Sequence, residues 1–134
     1  MTSAAHAAPA RRSQAAATRL AVILLGAGTT HFVLPKFYDV MVPPVLPGEA
    51  RTYTYVSGVA EIALGVGVVV PRTRRLASGL AALLFIAVFP ANVQMAVDWW
   101  RNEKIPLPLK LGAIARLPLQ IPLVTQSLKA RREA

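Results

Sequence analysis

Four runs of about 20 mostly apolar residues, separated by short segments rich in charge and proline, divide this chain of 134 residues. Few folds accept that pattern. At 1.5 Å of rise per residue, about 20 residues of helix cross a hydrocarbon core about 30 Å thick, and a helix satisfies its backbone polar groups within the run. The runs cover about 15–34, 53–70, 76–97 and 107–128. Pro35 stops the first and Pro71 the second. The expected fold is therefore all-α: an integral membrane four-helix bundle in one domain. An Ala-rich, disordered cytoplasmic tail is expected over 1–14 and a basic cytoplasmic tail over 129–134. A second reading of the first run is a secretory signal peptide, because arginines precede its apolar core and Gly26-Ala27-Gly28 resembles a cleavage site. Cleavage there would leave an odd number of spans.

The net charge of +9 invites a nucleic-acid reading. The basic residues, however, sit at the ends of the apolar runs and form no stripe with interleaved aromatics, so no nucleic-acid partner is expected. They act instead as topology signals facing a lipid bilayer. Nine of them, Arg11, Arg12, Arg19, Arg72, Arg74, Arg75, Lys129, Arg131 and Arg132, flank one end of the runs; five, Lys36, Arg51, Arg101, Lys104 and Lys110, flank the other. The positive-inside rule then places both termini in the cytoplasm. With no cysteine, the chain has no disulfide, thiolate metal site or sulfur relay of its own. His31 has no second His or Cys nearby and His6 lies in the tail, so no metal site is expected.

The longest loop, 35–52, carries Pro35, Pro43, Pro44 and Pro47 with Phe37, Tyr38 and Met41 between them. That composition is too rigid for helix and too apolar for free solution. The loop is expected on the outer membrane surface or folded over the bundle mouth, with Phe37, Tyr38, Pro43 and Pro44 as candidate partner contacts. Tyr38, Tyr53, Trp99 and Trp100 suit an interfacial aromatic belt.

Ionisable groups inside the runs carry the chemical interest. Glu61 lies about eight residues into the second run and Arg116 about nine into the fourth, both counted from the outer face, so their depths match. Each alone costs roughly 2.5 to 3.5 kcal/mol at a helix centre, which favours their pairing. His31 lies about 20 Å up the first run at helical rise, and Asn92 slightly higher. Ser57, Glu61 and Gly65 recur at spacing four, as do Gly112, Arg116 and Gln120, which puts small and polar residues on inward faces. His31, Glu61, Asn92, Arg116 and Gln120 are thus candidates for a polar pocket; the alternative is hydrogen-bonding glue that fixes helix register. Pro90, Pro118 and Pro122 release the carbonyls of Ile86, Ile114 and Pro118 inside the runs.

Three segments, GTTHFVLPKFYDVMVPPVLP, SGVAEIALGVGVVVPRTRRLASG and FPANVQMA, resemble the DoxX-like membrane proteins of bacteria. The resemblance covers about residues 24–97, with the fourth run similar in position and character only. It implies a four-helix fold in the bacterial cytoplasmic (inner) membrane, and a family named for a membrane subunit of a thiosulfate:quinone oxidoreductase. Relatives are associated with sulfurtransferase and superoxide dismutase partners in oxidative-stress defence. His31, Glu61 and Asn92 fall on the matching polar positions.

No soluble-enzyme motif is present, so any enzymatic role is at most that of a subunit in a quinone-linked oxidoreductase. One expectation is a membrane subunit of a redox or oxidative-stress assembly, associated with other membrane proteins or with copies of itself, whose pocket takes a quinone. The alternative is a non-catalytic scaffold or accessory subunit. A small transporter fits less well, since no internal repeat is evident.

Overall fold

Apolar runs of helical length become helices wherever no proline interrupts the hydrogen-bond ladder early. The computed structural model describes residues 2–134, with side chains from Gln14 onward. Its elements are α1 (Thr2–Val33), α2 (Pro35–Asp39), α3 (Ala50–Val69), α4 (Arg74–Arg101) and α5 (Leu107–Glu133). Four of them, over Gln14–Val33, Ala50–Val69, Arg74–Arg101 and Leu107–Glu133, are long and apolar enough to cross a membrane. No strand occurs among the described residues.

Three boundaries differ from the sequence reading. Helix begins at Thr2 instead of near residue 15, so the backbone of the tail expected to be disordered is helical; alanine, the strongest helix former, dominates there. Met1 and the side chains of 2–13 lie outside the described residues, and with them the tail's His6, Arg11 and Arg12. The basic segment 129–134 continues α5 to Glu133, where Arg131 and Arg132 in the last turn complement the helix dipole. The proline-rich loop also contains a helix, because Pro35 stands in the first turn of α2, where its missing N–H costs nothing.

The long helices form a ring in the order α1, α3, α4, α5, with the α1–α3 and α4–α5 pairs packed most extensively and the α3–α4 and α1–α5 seams looser. Glycine makes the first pair close. A Cβ placed on Gly28 would lie 2.9 Å from the Gly58 carbonyl oxygen and 3.0 Å from the Ile62 nitrogen, and one on Gly58 would lie 2.9 Å from the His31 Cβ. At this crossing α1 and α3 meet backbone to backbone. Gly28 precedes His31 by three residues and Gly58 precedes Glu61 by three, so the contact sets the spacing of the two ionisable groups.

Two apolar cores bracket the middle of the bundle. One joins Leu20, Leu24, Val68, Ala81, Phe85 and Ala130; the other joins Met95, Ala96, Trp99 and Ala113. The turn between α3 and α4 is closed by Arg74, whose Nε and Nη2 donate to the carbonyls of Val68 (2.8 Å) and Val69 (3.1 Å) at the end of α3. Outward positions such as Val22, Val33, Val56, Leu83, Ile86 and Ile121 are exposed.

Candidate functional site

Between the two cores the bundle is incompletely filled. A cleft of about 290 Å³ lies beneath the 35–52 loop between α3 and α4, and a second of about 340 Å³ lies beside α5. His31, Tyr38, Met41, Glu61 and Arg116 line both, so they form a wall shared by the two clefts. Asn92 lines only the first, with Thr54 and Ser57. Four of the five pocket candidates therefore converge on one space. Gln120 does not: it is buried one helical turn beyond Arg116 and lines neither cleft, its Oε1 without a hydrogen bond.

His31 is held from two sides. Its Nδ1 lies 2.6 Å from the carbonyl of Ala27, one turn earlier in α1, and its ring stacks on Tyr38 with centroids 3.7 Å apart. The carbonyl can only accept, so Nδ1 carries the proton and Nε2 keeps its lone pair in the neutral ring. Thr30 donates to the same carbonyl at 2.7 Å, and Tyr38 in turn donates its hydroxyl to Thr30 Oγ1 at 2.5 Å.

Glu61 Oε2 lies 3.4 Å from His31 Nδ1. That is an ion-pair distance, but the Nδ1 hydrogen already points to Ala27, and Glu61 Oε2 is buried with no hydrogen bond. The expected direct pairing of Glu61 with Arg116 is therefore corrected. Arg116 acts on Glu61 only through space, and its Nη1 instead donates to the thioether of Met41 at 3.0 Å. Met41 reaches it because the loop folds inward, which counting depth along straight helices does not capture. The Asn92 amide nitrogen is likewise buried without an acceptor. One cleft thus holds an unpartnered acceptor, Glu61 Oε2, an unpartnered donor, Asn92 Nδ2, and a cation whose close partner is a weak sulfur acceptor.

The loop covers the mouth. Asp39 accepts hydrogen bonds from Thr54 Oγ1 (2.7 Å) and Arg51 Nε (2.9 Å) on α3. Tyr53 donates its hydroxyl to the Pro47 carbonyl, and Trp99 Nε1 donates to the Val40 carbonyl at 3.4 Å. Of the outer-loop candidates, Tyr38 lines both clefts, Pro43 the first and Phe37 the second, while Pro44 lines neither. The aromatic-belt reading divides: Trp99 is 8% exposed and turns inward, whereas Trp100 is 55% exposed and outward. Successive residues on a helix point about 100° apart, so the pair could not share one role. Thr54 carried no signal in the sequence, and Met41 counted only toward the apolar character of the loop, since a threonine and a methionine among apolar residues read as filler.

The latch makes the loop acid-sensitive. The Thr54 hydroxyl is the main cause that holds the Asp39 carboxyl below its ordinary value; burial, the next in size, opposes it, and the Arg51 guanidinium adds to the lowering. A depressed carboxylate stabilises the closed loop above its unfolded pKa of about 4, and that contribution disappears as pH falls through the folded value. In a Trp100→Phe background, Trp99 emission is expected to shift to the red only below pH ~4. Asp39→Asn should already show the shifted emission at neutral pH. Emission independent of both pH and this substitution would remove the latch.

The family of the domain of unknown function DUF8561 matches residues 20–131, which include α2, α3 and α4 entire, α1 from Leu20 onward and α5 through Arg131. The chain belongs to the DUF8561 family. Every residue of the shared wall, the loop that covers it and the Gly28–Gly58 crossing lie within the DUF8561 match. No curated protein and no solved structure matches the chain.

Proposed function

We propose that the chain is a multi-pass protein of the bacterial cytoplasmic membrane, with both termini in the cytoplasm, whose cleft binds a quinone-class headgroup as part of a membrane redox or oxidative-stress assembly. Four spanning-length helices with an apolar outer surface, and the excess of Lys and Arg at one end, support the placement. The carrying observation is the pairing of unpartnered groups in one cleft: Asn92 Nδ2 offers a donor and Glu61 Oε2 an acceptor. A quinone carbonyl accepts from the first and a quinol hydroxyl donates to the second. Arg116 supplies a charge-assisted donor to the carbonyl oxygen. The loose α3–α4 seam lets an isoprenoid tail leave toward lipid while the ring stays under the loop. The resemblance to DoxX-like proteins supports the redox setting, and the lack of cysteine assigns any thiol chemistry to a partner.

Isothermal titration of the full chain in nanodiscs with a short-chain quinone tests this directly. Saturable binding at one site is expected, weakened by Asn92→Leu. Absence of heat at any concentration would sink the reading.

The scaffold reading is favoured by one observation: Val45 is 78% exposed and stands on the loop's outer side beside exposed Pro44, available to another membrane protein. Under that reading, Val45→Asp abolishes co-purification of partners while Glu61→Gln leaves it intact.

A further inference from the structure

At the basic end of the bundle, away from the cleft just described, a groove of about 390 Å³ runs along α1 to the end of α3 and the start of α4. Ala17, Ala21 and Leu25 form its floor and Val69 one side; Gln14, Thr18 and Arg74 provide its polar groups. From Gln14 to Leu25 the groove follows about 16 Å of helix. Its apolar part points toward the middle of the bundle and its polar part toward the chain termini.

Arg74 is a cation already in place. Its Nε and Nη2 are committed to the Val68 and Val69 carbonyls, which fixes the plane of the guanidinium and leaves its remaining N–H groups, those on Nη1 among them, for another acceptor. A planar donor fork matches phosphate geometry, and one held rigid loses little entropy on binding. Long apolar trough, hydroxyl and amide at the shoulder, fixed cation at the mouth: the arrangement complements a molecule with one anionic end and one hydrocarbon chain.

We infer that this groove binds a single anionic phospholipid, with its phosphate on Arg74, its glycerol region beside Thr18 and Gln14, and an acyl chain along Ala17, Ala21 and Leu25. The inference rests on the membrane placement proposed above and is independent of the quinone cleft. Arg72 and Arg75 flank the site in sequence without lining it, so they separate a built site from general attraction of a basic surface.

Native mass spectrometry of the detergent-released full chain, with phosphatidylglycerol, phosphatidylcholine or inorganic phosphate added, reads the result. Phosphatidylglycerol is expected to be retained about fivefold over phosphatidylcholine, the worth of one basic contact near an anionic headgroup. Arg74→Gln should erase that preference. Because Arg74 also caps α3, Val22→Trp serves as a second variant: Val22 lines the groove but is 65% exposed, so a bulky ring there blocks the chain's path without entering the core. The Arg72→Gln, Arg75→Gln double variant should stay within about twofold of the parent, as charges outside the groove are screened. An equal loss in that double variant, full retention in Val22→Trp, or complete displacement by inorganic phosphate would each overturn the lipid site. Failure of the membrane placement itself would look different, as a chain that stays monodisperse without detergent.

Discussion

Gly28→Val is expected to force α1 and α3 apart and to destabilise the bundle by about 3 kcal/mol, the upper part of the usual cost of overpacking. The reason lies in what the added carbon meets. At Gly28 two of the three nearest atoms are backbone, the Gly58 oxygen at 2.9 Å and the Ile62 nitrogen at 3.0 Å, and backbone in a packed helix cannot rotate away as a side chain can. Gly26, two residues earlier in the same helix, has nothing within 4 Å of its added Cβ, so Gly26→Val should change stability by less than about 0.5 kcal/mol. Reversible unfolding in mixed micelles compares the two. The spectator variant separates packing from helix propensity, since valine replaces glycine in a helix in both. Equal stability of the two proteins would show that the helices do not meet at Gly28. Because the same crossing spaces His31 from Glu61, Gly28→Val should also lose ligand binding.

The second large effect is expected at Arg116. If its guanidinium donates to the ligand's carbonyl oxygen, Arg116→Gln removes a charge-assisted hydrogen bond worth about 2 kcal/mol and raises the dissociation constant for a short-chain quinone about thirtyfold. Met41 is a poor substitute partner, so the cation holds most of its donor capacity in reserve. Arg116→Lys keeps the charge and loses the planar fork, and should fall between the two. Titration in nanodiscs reads all three. An unchanged constant in Arg116→Gln would return the residue to a purely structural role beside Met41.

What was legible in the sequence was whatever depends on local pattern. Run length and proline position set the four long helices to within a few residues at the ends away from the chain termini, and depth counting along those helices brought His31, Glu61, Asn92 and Arg116 to one level. The errors came from contacts between distant segments. Straight-helix counting paired Glu61 with Arg116, whereas the loop inserts Met41 beside the guanidinium and α1 brings His31 to the carboxylate. Asp39 has nothing in its sequence surroundings to mark it, yet it holds Thr54 and Arg51. Tyr38 suited a membrane interface as well as it suits the His31 face, because an aromatic ring with a polar tip has the same composition in either place. Gln120 shares the helical face of Arg116, but the cavity ends before its level.

The absence of cysteine from the chain makes one measurement especially clean, since any introduced thiol is unique. Ser57 lines the first cleft with Glu61, and Val59, two residues on, is exposed on the outer surface of the same helix. A thiol in hydrocarbon does not ionise and reacts slowly, whereas one in a polar cleft reached from outside does both. Ser57→Cys in intact vesicles should therefore be labelled by a membrane-impermeant maleimide faster than Val59→Cys, and a short-chain quinone should protect it. Labelling of Ser57→Cys no faster than that of Val59→Cys, or labelling indifferent to quinone, would contradict a ligand-binding cleft at this place in the bundle.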